Sequence, residues 1–195
     1  MLRTIQLTRT NNLTYRLAAI AVFTLLMVIS SKISIEIGAV PITMQVFVVL
    51  LSGMVLGSRD GALSQVGYLA LITANLPVDA RGLGAAALFG PTGGYIMGFA
   101  IAAFVIGWMV ENSQNKVWQR FLAGIVGILI IYAIGTPFLK YFFDIFRDGA
   151  SWQQAWQWGV APFIVLDLIK ALIAATIVEG TRSLLLMRSE SVKEQ

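Results

Sequence analysis

Six apolar runs divide this chain: about Leu13 to Ser31, Pro41 to Leu56, Gly61 to Leu76, Pro91 to Val110, Trp118 to Leu139 and Pro162 to Met187. A run of about 20 apolar residues crosses a bilayer as a helix, because a helix satisfies its own backbone groups where water does not reach. The overall balance agrees. Of 195 residues, 57% are hydrophobic and 12% charged, against about 25% charged in soluble domains. The expected fold is therefore an all-α integral membrane protein, a bundle of six transmembrane helices forming a single membrane domain over residues 1–195. The second and third runs are short for spanning helices, so one of them is expected to be tilted, broken or shielded by its neighbours.

What lies between the runs is informative too. The interruptions are Lys32 to Val40, the turn GSRDG at Gly57 to Gly61, the loop Pro77 to Gly90, the polar stretch Glu111 to Arg120, and Lys140 to Ala161. The last contains SWQQAWQWG, whose Trp152, Trp156 and Trp158 suit an interfacial helix or loop at headgroup level. Arg3, Arg9 and Arg16 ahead of the first run resemble a signal peptide, but no small-residue cleavage pattern follows and more spans do. An uncleaved first helix is expected. With the N-terminus inside, that side carries nine basic residues: Arg3, Arg9, Arg16, Arg59, Lys116, Arg120, Arg182, Arg188 and Lys193. The other side carries four, Lys32, Arg81, Lys140 and Arg147. The excess of basic residues favours both termini inside. Topology thus accounts for the basic balance, and no basic stripe with interleaved aromatics supports a nucleic-acid partner.

The fourteenth basic residue, Lys170, lies inside the sixth run with Asp167, in PFIVLDLIKALIAATIV. Spaced i, i+3, the two side chains share a helical face. A self-neutralising structural pair is one reading, but desolvation offsets most of what such a pair gains. Ionisable residues within a span are by default a functional-site hypothesis. The carboxylate accepts hydrogen bonds and the ammonium donates them, which together suit a small ligand with N–H donors beside a carbonyl or carboxylate. In the expected orientation the pair lies a turn or two below the outer surface. PITMQ (Pro41 to Gln45), PVDARGLG (Pro77 to Gly84) and GPTGGY (Gly90 to Tyr95) fall at the same end, as an outward-facing pocket would require.

Each feature has a plainer reading. Gly90, Gly94, Gly98 and Ala102 recur every four residues, and Gly53 with Gly57 forms a GxxxG, both patterns of close helix packing. Gln45 and Gln65 suit interhelical hydrogen bonds, Tyr68 and Tyr132 suit core or belt positions, and Arg59, Asp60 and Glu111 suit solvated turns. The chain has no Cys and no His, which excludes disulfides, thiolate or imidazole metal sites and Ser-His or Cys-His nucleophile pairs. No GxxxxGK[ST] loop is present, so ATP hydrolysis by the P-loop route does not occur here. An intramembrane enzyme or proton relay would have to use Asp167 with Lys170 and one of Ser30, Ser31, Thr43 or Thr92.

PITMQ, LPV at Leu76 to Val78, GPTGGYIMGF at Gly90 to Phe99 and PFIVLDLIKA at Pro162 to Ala171, in this order and spacing, resemble the BioY family. Members are the biotin-binding membrane subunits (S components) of energy-coupling-factor (ECF) transporters, and the resemblance runs from about Leu13 to Leu186. It implies a six-helix S component in the prokaryotic plasma membrane that captures biotin from outside. Import is then driven by a coupling transmembrane subunit and cytoplasmic ATPases, with no catalytic residue, metal or cofactor of its own; a different small vitamin is the nearest rival. By the same resemblance Asp167 accepts from a ureido N–H and Lys170 donates to the ring carbonyl, or instead meets the ligand's carboxylate. Thr92, Gly93 and Tyr95 line the pocket and Gln45 adds a hydrogen-bonding group. Asp79 and Arg81 depart from the small or apolar residues usual after LPV; they form a lid, bind the valerate tail through Arg81, or are solvated. The family's Ala-xxx-Ala docking pattern on the first helix is absent from YRLAAIAVF, where Ala18 and Ala21 would supply the flat patch for the coupling subunit.

Overall fold

A computed structural model of the chain describes residues 13–114 and 116–193, with side chains described as far as residue 185. Arg3 and Arg9 of the charge count lie outside the described residues, as do the side chains of Arg188 and Lys193. The elements run α1 (Leu13–Lys32), β1 (Ser34–Ile35), β2 (Ile42–Thr43), α2 (Gln45–Leu56), α3 (Ser58–Thr73), α4 (Ala86–Phe89), α5 (Gly93–Glu111), α6 (Val117–Phe146), α7 (Trp152–Gly159) and α8 (Ile164–Lys193). Helices α1, α5 and α6 are long and apolar enough to cross a membrane. A fourth span results if α7 and Ile164–Leu185, bent by 43° at the break between them, are taken together. Helix α2 has 12 residues and rises about 18 Å at 1.5 Å per residue, less than the hydrocarbon core of a bilayer.

The chain departs from its sequence pattern in three places. The segment after the first run contains a two-residue antiparallel ribbon, Ser34 opposite Thr43 and Ile35 opposite Ile42, rather than irregular loop alone. Helix α6, from the fifth apolar run, continues past Leu139 to Phe146, because nothing in LKYFFDIF breaks a helix and Lys140 pairs with Asp144 one turn on. It stops where Gly149 takes a positive φ of 84° and the Asp144 carboxylate accepts from the Ala150 amide. The last helix starts at Ile164, two residues later than Pro162, after a turn at the end of α7.

Helix α5 is the hub, packing against α6, α3 and α2, while α8 lies on α6 and α2 and α1 lies on α3 and α2. Small residues permit the closest approaches. Gly94 faces Phe138 and the Ile134 carbonyl of α6, Gly98 faces Ile131, and Gly53 meets Ala103 and Ile106 of α5. At Gly107 a Cβ would fall 2.3 Å from the Gly57 carbonyl carbon and the Ser58 amide nitrogen. Gly57 itself has φ +85°, which glycine alone adopts without cost, and so joins α2 to α3 with no loop.

Charges at this end of the bundle are less exposed than the solvated turns expected for them. Asp60 is buried, and the Arg16 guanidinium donates to both its oxygens at 3.0 and 2.7 Å. The Glu111 carboxylate accepts from the Ser58 amide at 2.9 Å and the Ser58 hydroxyl at 3.0 Å, capping α3. Arg120, expected in the polar connection before α6, is 0% exposed and pairs with Glu179 of α8 at 2.9 Å. Arg59 is exposed. Helix ends from distant parts of the sequence converge here, and a buried charge persists where it meets an opposite one.

Gly107→Ala should lower the thermal unfolding midpoint of the detergent-solubilised protein, since the added methyl meets backbone that cannot turn away. Overpacking of this kind costs about 1–3 kcal/mol. Gly180→Ala, inside α8 with nothing within 4 Å of the added Cβ, should keep or raise the midpoint, because alanine favours the helix more than glycine does, and equal behaviour of the two variants would refute the close approach.

Candidate functional site

At the opposite end of the bundle a partly open cavity encloses about 710 Å³, counted out to its mouth. Its walls come from α2, α3, α5, α6, α8 and the loops between Val40 and Phe163. Ile96 and Phe99 of α5, Ile131 of α6, Val46 of α2 and Phe163 before α8 supply apolar surface. Three of the five tyrosines, Tyr68, Tyr95 and Tyr132, place rings on it.

The charged pair of α8 forms part of the wall. Lys170 Nζ donates to Asp167 Oδ1 at 2.8 Å and to the Thr43 carbonyl at 2.8 Å. Tyr132 of α6 donates its hydroxyl to Asp167 Oδ2 at 2.6 Å. Asp167 is 2% exposed, and the lysine side chain 11%. Each ion therefore has a neutral protein partner besides the other ion. An ammonium has three donors and a carboxylate oxygen two lone pairs. One lysine N–H and one lone pair on each carboxylate oxygen stay unspent by these bonds, on two side chains that line the cavity.

A chain of hydrogen bonds continues from this pair to the mouth. The Thr43 hydroxyl donates to Gln45 Oε1 at 3.2 Å, Gln45 Nε2 donates to the Tyr68 hydroxyl at 2.9 Å, and Tyr68 donates to the Val78 carbonyl at 3.3 Å. The loop that holds Val78 is fastened from α1 as well. Ser31 donates to the Val78 carbonyl at 2.6 Å, and Lys32 Nζ donates to the Pro77 and Asp79 carbonyls at 2.7 and 2.6 Å. Asp79 spends its carboxylate on its own loop, accepting from the Arg81 amide at 3.1 Å and the Gly84 amide at 2.8 Å. Arg81 reaches outward to Glu36 at 2.7 Å and to the carbonyls of Gly38 and Ala39, so the two loops on either side of the mouth are latched together.

The residues singled out from the sequence meet at this cavity with one exception. Asp167, Lys170, Gln45, Thr92, Tyr95, Asp79 and Arg81 all line it. Thr92 precedes α5 without spending its side chain as a cap. Tyr95 offers its ring, and its hydroxyl donates to the carbonyl of Gly159, which also lines the cavity, at 3.1 Å. Gly135 and Gly159 make room for that ring and its hydroxyl. Gly93 does not line the cavity. It is buried against Leu88 and Phe138, and a Cβ there would fall 2.0 Å from the Leu88 carbonyl oxygen.

Tyr132 and Tyr68 also line the cavity, although their sequence setting suggests only core or belt, and Thr43 lines it beside Gln45. A signal was available for the tyrosines: a phenol inside an apolar span needs a hydrogen-bond partner, and Asp167 needs donors. Which phenol meets which acceptor depends on how α6 is rotated against α8.

With this geometry in view, comparison with known proteins is informative. The model of the BioY family matches residues 4–186. The biotin transporter BioY of Thermotoga maritima is 42% identical over 80% of this chain and 89% of its own length. A probable biotin transporter BioY of Pyrococcus horikoshii is 41% identical over 82% and 91%. A crystal structure at 2.1 Å of the S-component for biotin from an ECF-type ABC transporter superposes with a TM-score of 0.78, at 27% identity, over 90% of this chain and 95% of that one. By the extent of the family match and the share of both chains covered, this chain belongs to the BioY family.

Proposed function

We infer that the chain captures biotin in the cavity between α2, α5, α6 and α8 and serves as the biotin S component of an ECF-type transporter. The observation that carries this reading is the Asp167–Lys170 pair, oppositely charged, overall neutral, and with unspent donor and acceptor capacity on a cavity wall. A cyclic urea presents N–H groups beside a carbonyl and has no charge. The carboxylate accepts a ring N–H and the third lysine N–H donates to the ring carbonyl, so neither ion loses its present partners. Phe99, Phe163 and Ile96 then face the apolar parts of the bicycle. Gln45, Thr92 and Tyr95 line the same space, and Gly93 acts by letting α5 begin close against α4. For Asp79 and Arg81 the bonds within and between loops favour a lid over the mouth, with the Arg81 fork held by Glu36.

In this reading the chain is a single membrane domain of six transmembrane helices, α1, α2, α3, α5, α6 and α8. The short α2 and α3 are shielded by their neighbours, and both termini face the cytoplasm of a prokaryotic cell. The nine-to-four distribution of basic residues supports that orientation, which opens the cavity to the outside. Coupling and ATP hydrolysis come from partner subunits. Ala18 and Ala21 lie on the exposed face of α1, and only 17% of that helix's most apolar window is buried. The face is therefore open to lipid or to a coupling subunit.

Calorimetric titration of the purified protein should show biotin binding without nucleotide, and none with riboflavin or thiamine; the reverse preference would reassign the vitamin. Asp167→Asn, nearly isosteric, turns an acceptor oxygen into a donor facing the ring N–H. A hydrogen bond to a charged group contributes about 1.5–3 kcal/mol, so biotin affinity should fall roughly tenfold or more. Unchanged affinity in folded protein would return the pair to a structural role. Lys170 should react with aqueous amine reagents more slowly when biotin is bound, and equal labelling with and without ligand would remove it from the pocket.

A further inference from the structure

We propose that Tyr132 is a specificity-determining residue of the cavity, which acts by holding the Asp167 carboxylate in one orientation and keeping its bond to Lys170 single. This rests on the biotin reading above and adds a residue and a selection rule to it.

Geometry carries the proposal. Asp167 is 2% exposed and Tyr132 8%, so the bond between them is largely shielded from water. The carboxylate divides its oxygens between two helices: Oδ1 accepts from Lys170 on its own helix and Oδ2 from Tyr132 on α6. Lys170 is restrained in turn, because the Thr43 carbonyl takes a second of its donors. Without the phenol, Oδ2 would have no protein donor among these partners, and the carboxylate would be free to swing both oxygens toward the ammonium. A pair closed in that way satisfies itself and offers a ligand little. With the phenol in place the ammonium reaches one oxygen only, and the plane of the carboxylate is set by a rigid ring that itself lines the cavity.

The choice of a neutral donor has a further consequence. An arginine or second lysine at this position would also bind Oδ2, but would leave the wall with net positive charge. Tyrosine supplies a donor and no charge, so the wall keeps one anion and one cation. That favours a ligand ring that is itself uncharged and both donates and accepts, and it disfavours a cationic ring, which must face Lys170 while Asp167 is already shared.

Tyr132→Phe removes the hydroxyl and nothing else. Calorimetric titration should show biotin and desthiobiotin, which share the ring urea, both weakening about tenfold. Iminobiotin, whose ring carries an imino group in place of the carbonyl and is protonated at neutral pH, should weaken less than threefold, so discrimination against it narrows. In an Asp167→Asn background, Tyr132→Phe should have no further effect on biotin, because the residue acts through that carboxylate. Equal weakening of all three ligands, or an undiminished effect in the Asp167→Asn background, would reduce Tyr132 to wall packing, and unchanged affinities would overturn the proposal outright. If the unaltered protein does not bind biotin at all, the functional reading fails instead, which keeps the two outcomes separate.

Discussion

Much of this molecule is arranged around two ions that an apolar helix would otherwise exclude. Asp167 and Lys170 sit on one face of α8, and each needs compensation that the other cannot fully supply, since a close pair removed from water gains little over apolar side chains. The compensation comes from elsewhere: the Tyr132 hydroxyl from α6 and the Thr43 carbonyl from the entry to α2. These bonds require α2, α6 and α8 to meet at one level of the bundle. They also leave the pair open on the fourth side, where the cavity lies. A purely structural ion pair would be expected to close on itself.

Close helix packing makes that meeting possible. Gly94 and Gly98 let α5 sink onto α6, and Gly53 and Gly107 do the same between α5 and the α2–α3 corner. The central helix is thereby held from three sides, and its first turn, with Tyr95 and Ile96, becomes one wall of the cavity. Tyr95 in turn ties α5 to the end of α7 through the Gly159 carbonyl. Exposed Trp152 and Trp156 put α7 at the bundle surface, so the cavity wall is anchored to the helix that suits a headgroup environment.

The opposite end is built on different terms. Arg16 with Asp60, Glu111 with the start of α3, and Arg120 with Glu179 tie helix ends together through charges that are partly or wholly buried. These contacts make the end with Gly57 and Glu111 a set of cross-braced corners. The mouth of the cavity, by contrast, is bordered by loops pinned through carbonyl oxygens and one exposed ion pair, Arg81 with Glu36.

The main apolar helices, the membrane character and the presence of an Asp167–Lys170 pair within the last helix were legible in the sequence, because burial in lipid selects for long apolar runs and makes any ion inside one conspicuous. The cluster at one end was legible for the same reason: polar and glycine-rich interruptions alternate between the two ends of a bundle, so their side can be counted. Tertiary structure decided what each polar group faces. Tyr132 looked like core until the rotation of α6 brought it to Asp167, and Asp60 and Glu111 looked solvated until distant helix ends covered them. Gly93 looked like a ligand contact until α4 closed over it. Hydrophobicity acts on each segment by itself and can be read one residue at a time, whereas a hydrogen bond or ion pair depends on a second segment whose distance and rotation are fixed only when the whole bundle packs.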